Sequence, residues 1–321
     1  MKMATRLRNM FFPLLFALAQ ISWAIAISHG LREEQPPSAI FKYHGGALLT
    51  GPRSIKTYLI WYGGFSRENR ASITGFFASF NPSKAQEPQP TVAAWWSRIQ
   101  SYKDKSGNSV PSTVRLVKQV GDMYSLGKSL KRSQIASIIN NKIANKILPL
   151  DSNAIYLVLT SKDVTVERFC MGSCGFHDSM LVAKKTRLVY GHVGDPSAQC
   201  PGLCAWPYAV PAYGPQFPGQ PLVPPNGVDV DGMLINIATI LLGAVTNPYK
   251  TGYFQGNALA PLEAATACSG IFGAGAYPGY PGQLLVDKTS KASFNVYGTN
   301  ATKFLLPAIW DPKTSNCKVI T

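Results

Sequence analysis

Acidic residues are scarce in this chain: 16 aspartates and glutamates stand against 31 lysines and arginines in 321 residues, a formal charge of +15. Charge of either sign is sparse at 15%, whereas 46% of the residues are hydrophobic. That balance excludes a disordered chain or a coiled coil, which carry far more charge, and supports a substantial core. The 28 glycines and 24 prolines are spread without a three-residue period, so collagen is excluded as well. Beyond the N-terminus, long apolar runs are missing. Met233 to Val245 comes closest at 13 residues, short of the ~20 that span a bilayer. There is no internal repeat and no flexible linker, so a single domain is expected.

Familiar catalytic signatures are also missing. No Gly-x-Ser-x-Gly elbow exists, which excludes a serine hydrolase of that type. Gly127-Lys128-Ser129 lies between a predicted strand and a predicted helix, the setting of a phosphate-binding loop. The motif requires a further glycine at position 122, which is Asp122, and Gly121 is one residue out of register. The segment reads as a basic helix-entry turn. Histidine occurs four times, and only His177 and His192 lie among the cysteines, with no obvious nucleophile beside either.

What is present begins with a targeting segment. Lys2, Arg6 and Arg8 precede an apolar core from Phe11 to Ala19, and the small residues Ala24, Ala26 and Ser28 follow. This order is that of a secretory signal peptide, assigned to residues 1–26, and Gln20 and Ser22 interrupt the run before it could anchor in a membrane. Residues 27–39 read as an N-terminal extension and 40–321 as the folded domain. Cleavage leaves 28 basic residues against 16 acidic ones, a charge of +12. The mature protein is expected to be soluble and extracellular.

Hydrophobic periodicity places the elements. Residues 57–62 form a buried strand ending at Gly63-Gly64, and Ser66 caps a helix carrying Ile73, Phe76, Phe77 and Phe80 on one face. Val92, Trp95, Trp96, Ile99 and Tyr102 make the apolar stripe of a second helix, which favours core packing over a sugar platform for the Trp95-Trp96 pair. A strand follows at 113–120. Ser133 then caps a helix with Ile135, Ile138, Ile139, Ile143 and Ile147 inward, and residues 154–160 are the clearest strand of all. The sequence predicts an α/β fold: a single domain with a helix-covered mixed sheet. Four cysteines and many prolines between residues 170 and 225 predict a disulfide-rich loop insert. A last helix over 232–245 and short strands at 292–298 and 303–306 complete the expectation.

The six cysteines offer two chemistries. Cys170, Cys174, Cys200 and Cys204 form two C-x3-C pairs, a spacing found in structural zinc sites. In a secreted chain thiols more often oxidise, so disulfides are favoured. The expected pattern pairs these four among themselves and Cys268 with Cys317; bridges between the two clusters are geometrically easier than within one. Asp229 and Asp231, before the last helix, suit helix capping better than cation binding. Asn300-Ala301-Thr302 is the one permissive glycosylation sequon, since Asn81-Pro82-Ser83 is blocked by proline. No cofactor is expected. The excess of basic charge predicts weak, salt-reversible binding to an acidic polysaccharide through Lys103 and Lys105, and through Lys184, Lys185 and Arg187. Neither nucleic acid nor a membrane is an expected partner.

Several long runs carry a family resemblance. They include Leu59-Ile-Trp-Tyr-Gly-Gly-Phe-Ser66, Tyr156-Leu-Val-Leu-Thr-Ser-Lys-Asp-Val164, Phe169-Cys-Met-Gly-Ser-Cys-Gly-Phe-His177 and Gln199-Cys-Pro-Gly-Leu-Cys-Ala-Trp-Pro207. Tyr124 to Leu130, Val230 to Asn236, Thr246-Asn-Pro248 and Pro278-Gly-Tyr-Pro-Gly282 extend them. Together these resemble the plant EXORDIUM / phosphate-induced protein family over about residues 40–320, making 40–321 an EXORDIUM-like domain. The resemblance implies secretion to the apoplast and cell wall, a part in brassinosteroid-responsive growth and cell expansion, an unknown protein receptor, and no established catalytic activity. The chain departs from the family pattern at His192, where Trp is usual, at 301–303, where Gly-Arg-Lys is usual, and in a 225–229 stretch one residue shorter than the common form.

The end of the last helix, with Glu263 and Cys268 downstream, also resembles a zinc-protease-like pattern, H-E-x-x-E-x-x-T-D-P followed by E-x4-C. Aligned on Thr246-Asn247-Pro248, its ligand positions fall on Thr239 and Gly243 and its general base on Ile240. None of the three can serve. The resemblance implies a zincin-like scaffold with its metal site erased, and hence neither a catalytic nor a metal-ligating residue.

Overall fold

The sheet is built around two strands whose residues are apolar on both faces. β1 (Ile55–Tyr62) buries every residue except Lys56, and β3 (Ala154–Thr160) buries all seven. In this computed structural model, which describes residues 40–320 apart from 52, 82–87, 183–185 and 215–219, they are the central pair of a five-stranded sheet. The other strands are β2 (Val114–Asp122), β4 (Gly175–Val182) and β5 (Thr186–Gly194), in the order β2-β1-β3-β5-β4. Four strands run parallel and β4 returns antiparallel along β5 at one edge. Strands covered on both faces lose the polar alternation of a half-exposed sheet, which is why β1 and β3 are apolar on both faces apart from Lys56, Thr57 and Thr160. The expectations for residues 1–39 and for Lys184 and Lys185 lie outside the described residues.

The period-2 alternation of β1 and β3 divides the core. Leu59, Trp61, Ile155, Leu157 and Leu159 point to one face, under α1 (Arg67–Ala78), α2 (Val92–Ser97) and α4 (Val228–Thr246). Tyr58, Ile60, Tyr62, Tyr156 and Val158 point to the other, where α3 (Arg132–Ala144) delivers Ile135, Ile138 and Ile139. α1 starts at Ser66, whose hydroxyl accepts the Asn69 N–H. α2 passes into a 3-10 turn over Arg98–Ser101 rather than continuing as one helix. Trp95 and Trp96 are fully buried, each donating its indole N–H to a backbone carbonyl, of Pro307 and Pro111. No platform for a sugar remains there.

Three expectations need correction. Residues 170–204 are not a loop insert: they contain β4 and β5, two full strands of the main sheet. The cysteines brace this hairpin, since Cys170 pairs with Cys200 and Cys174 with Cys204, joining the approach to β4 with the one-turn helix Pro201–Cys204. Cys268 pairs with Cys317. Second, α3 begins at Lys131, not Ser133, because the Gln134 side chain accepts the Lys131 N–H, and Ile147 lies beyond the helix, 39% exposed. Third, α4 has 19 residues, not the 14 of its apolar stretch, and is long and apolar enough to cross a membrane by length and composition. It is instead buried on nearly every face, packed on β5 and β4 with α1 and the 201–204 turn against it. A helix apolar all round belongs in such a position.

Candidate functional site

In an open α/β sheet, ligands usually enter at the carboxyl ends of the strands where the winding reverses, which here is between β1 and β3. The polar side chains at that end of the sheet bond to one another. Ser161 donates to Asp163 at 2.6 Å, Tyr124 donates to the other Asp163 oxygen at 3.0 Å, and Lys128 Nζ lies 2.6 Å from that same oxygen. Lys128, with Ser161 and Tyr124, holds the Asp163 carboxyl well below the usual carboxylate range. The lysine of the Gly127-Lys128-Ser129 turn is thus spent on Asp163 and on the Tyr124 ring, 4.7 Å away.

The second place where chemistry-bearing residues converge is between α4 and the edge strand. His177, on β4, faces α4, and its Nε2 meets both oxygens of Glu263, at 2.9 and 2.8 Å. The pair is nearly enclosed, with side-chain exposures of 6% and 12%. Glu263 also accepts the Asn247 side-chain N–H at 2.7 Å, and Asn247 in turn accepts the Gly252 N–H. His177 Nδ1 is buried without a hydrogen-bond partner. The arrangement orients one imidazole through a carboxylate; among the described residues no hydroxyl or thiol is hydrogen-bonded to it.

The zinc-protease-like positions fall on this same spot. Gly243 lies under the pair: a Cβ there would collide with Glu263 Oε2 and sit 2.9 Å from His177 Nε2. Thr239, one turn earlier, bonds back to the Ile235 carbonyl. Ile240 is 8% exposed and packs against Gly175 and Gly191, whose missing side chains make its seat. These residues do not fit zinc. An aliphatic side chain replaces the base, a hydrogen and a hydroxyl replace two ligands, and the remaining carboxylate is occupied by His177 and Asn247. Among the described residues no group of three or more His, Cys, Asp or Glu side chains is arranged to hold a metal ion. The four clustered cysteines are consumed in disulfides.

Sequence reasoning singled out Glu263 and weighed His177, but did not join them. They are 86 residues apart, and only the E-x4-C spacing marked Glu263. The acidic residues Asp229 and Asp231, which lie within the first turn of α4 rather than before it, also act differently from simple caps. Gly227 is the N-cap; Asp229 accepts from the Asn69 side chain, and Asp231 accepts the backbone and side-chain N–H groups of Asn226. Burial pushes the Asp231 carboxyl up to about 7, against the lowering effect of those Asn226 bonds. His192, the departure from the family pattern, is fully buried between Phe169 and Phe176, with Nε2 2.9 Å from Thr160 Oγ1. Burial, with Arg132 nearby, pushes its imidazole down to about 3.

The fold and both clusters can now be set beside known proteins. The family described as the phosphate-induced protein 1 conserved region matches residues 41–320. The chain belongs to the phosphate-induced protein 1 family. It is 46% identical to Protein PHOSPHATE-INDUCED 1 of Nicotiana tabacum, over 89% of this chain and 90% of that protein. It is 45% identical to Protein EXORDIUM-like 2 of Arabidopsis thaliana, over 97% of both, and 44% identical to Protein EXORDIUM of the same plant, over 96% and 98%. No solved structure matches the chain. Within this phosphate-induced protein 1 member, Lys103 and Lys105 are exposed, and Arg187 lies over the Tyr249 ring at 5.1 Å. Asn300 and Thr302 of the sequon are exposed too.

Proposed function

We propose that this chain is a secreted protein of the plant apoplast and cell wall that regulates growth and cell expansion in response to brassinosteroid, without catalysing a reaction. Its scaffold is zincin-like, with the metal site erased. The observation that carries the non-catalytic part is the seat of Gly243, where His177 and Glu263 fill the space a ligand side chain would need. Membership of the phosphate-induced protein 1 family, with EXORDIUM proteins among its relatives, supports the growth role. Three disulfides and no free cysteine among the described residues support an oxidising compartment. Cell length in brassinosteroid-treated seedlings lacking this protein tests the reading. Shorter cells than in the parent are expected, restored by the full chain; unchanged cell length would contradict it.

A second reading concerns attachment. The net positive charge of the mature chain and the exposed Lys103 and Lys105 favour weak binding to an acidic wall polysaccharide such as de-esterified pectin. Charges of this kind are screened beyond ~8 Å at physiological ionic strength, so attachment is multivalent and released by salt. Retention on polygalacturonate across a salt gradient, with a neutral glucan as control, tests it. Elution from both matrices at the same low salt would contradict it.

A further inference from the structure

A cavity of about 540 Å³ opens beside α2, lined by Gln89, Pro90, Ala94, Ser97, Arg98 and Ile320. The volume lies in the range of small-molecule sites. None of these residues belongs to the His177–Glu263 cluster or to the Asp163 cluster at the ends of β1 and β3. The wall divides by chemistry. Pro90, Ala94 and Ile320 offer aliphatic surface, whereas Gln89, Ser97 and Arg98 offer hydrogen-bonding groups.

Among the described residues Arg98 is the one charged residue of that wall, and no carboxylate shares it. Its Nε–H is buried with no hydrogen-bond partner. Among the described residues it also stands outside every ion pair. That Nε is shielded from solvent, so it is the terminal N–H groups of the guanidinium that a ligand in the cavity would meet. The backbone that carries Arg98 is also held in place. Trp95 and Trp96 just before it are locked into the core through Pro307 and Pro111, and the Ser101 hydroxyl bonds to the Arg98 carbonyl. A cation presented from a rigid element suits a fixed ligand geometry better than one on a mobile loop.

The geometry points to a carboxylate-bearing sugar as the occupant: we propose that this cavity binds one uronic acid unit of an acidic polysaccharide, with Arg98 on its carboxylate. A guanidinium matches a carboxylate through paired N–H donors, which a lysine cannot reproduce. The aliphatic wall accepts the apolar face of the pyranose ring, and Gln89 and Ser97 can exchange hydrogen bonds with its hydroxyls. The proposal rests on the wall-attachment reading above and supplies what diffuse charge lacks, a site that recognises a single unit rather than a polyanion.

The test is calorimetric titration of the full secreted chain with trigalacturonate and with its methyl ester. The parent protein binds trigalacturonate and takes the methyl ester at least about tenfold more weakly, because esterification removes the charge that Arg98 pairs with. Arg98→Gln loses at least about tenfold in affinity for the trimer, and Arg98→Lys, which keeps the charge but not the fork, loses a substantial part of it. Lys103→Gln/Lys105→Gln leaves the trimer affinity within about twofold while lowering the salt needed to elute the protein from polygalacturonate. Thermal unfolding of each variant close to that of the parent shows that the fold is intact. Unchanged trimer affinity in both well-folded Arg98 variants would overturn the site. So would a parent protein that ignores the trimer yet is retained on polygalacturonate, a result that leaves the attachment reading standing. Arg98-dependent trimer binding without retention on the polymer would support the site and sink the attachment reading instead.

Discussion

Glu263 grips His177 Nε2 with both carboxylate oxygens directly over Gly243, a position of α4 with no side chain. The glycine and the pair are therefore one feature: the space that a side chain at 243 would fill belongs to the imidazole and the carboxylate. Asn247, one turn further along α4, donates to the same carboxylate and so ties the helix end to the pair.

Gly243→Ala measures this arrangement. In an exposed helix the change would stabilise by up to ~1 kcal/mol. Here the new methyl group meets Glu263 and His177, so a net destabilisation of about 1–3 kcal/mol is expected from overpacking. Urea unfolding of Gly243→Ala, His177→Ala and the double variant checks it. The double variant should lose less than the two single losses combined, since removing the imidazole makes room for the methyl.

The pH dependence of stability carries two opposed contributions. The raised carboxyl of Asp231, at about 7 in the fold, makes the native state bind the extra proton. Its contribution is fully present below the ordinary value of about 4 and lost as pH rises through about 7. His192, lowered to about 3, works the other way. Its contribution is present above the ordinary value of about 6.5 and lost as pH falls through about 3. Between about pH 4 and 6.5 the two nearly cancel, so these groups leave stability level across the acidic range. Asp231→Asn should expose a slope of about 1.4 kcal/mol per pH unit with stability falling toward acid, and His192→Phe the opposite slope. Urea unfolding at stepped pH reads both. Parallel profiles for parent and variants would contradict the assignment.

The Cys268–Cys317 bridge closes a chain separation of 49 residues and staples the turn at 266–268 to the C-terminal hairpin. Cys268→Ser/Cys317→Ser should cost about 2–5 kcal/mol. Mass spectrometry after alkylation without reductant should find no labelled cysteine in the parent. Labelled thiols among Cys170, Cys174, Cys200 and Cys204 would revive a metal reading of that cluster.

Asn300 sits exposed in left-handed backbone, a conformation asparagine tolerates well. Secreted from a plant host, the chain should carry one N-glycan that Asn300→Gln removes, seen as a mass loss on an intact-protein spectrum. An unchanged mass would show that the sequon is not used.

The legible parts of the fold are those whose residues serve a single purpose. β1 and β3 are apolar on both faces because both faces are covered, and α1 announces itself through Ser66 and the Ile73, Phe76, Phe77 spacing. β4 and β5 were hidden by residues that serve two purposes. Gly175, Gly191 and Gly194 lower the strand propensity of these segments, yet they are the close-approach positions that admit Ile240 and Phe169 against the sheet. His177 and Asp178 give β4 a polar look because it is an edge strand, paired on one side only. The Arg98 cavity left no trace in the sequence at all. It is made where the 89–98 segment meets Ile320, and no local pattern encodes so distant a meeting.

The central claim is that this scaffold works without a metal. Elemental analysis of the secreted protein, purified without chelator and dialysed against metal-free buffer, tests it most directly. The residues at 239, 240 and 243, and the engagement of Glu263 by His177 and Asn247, predict zinc far below one equivalent per chain. One tightly held zinc per chain, lost together with Glu263→Ala, would contradict it.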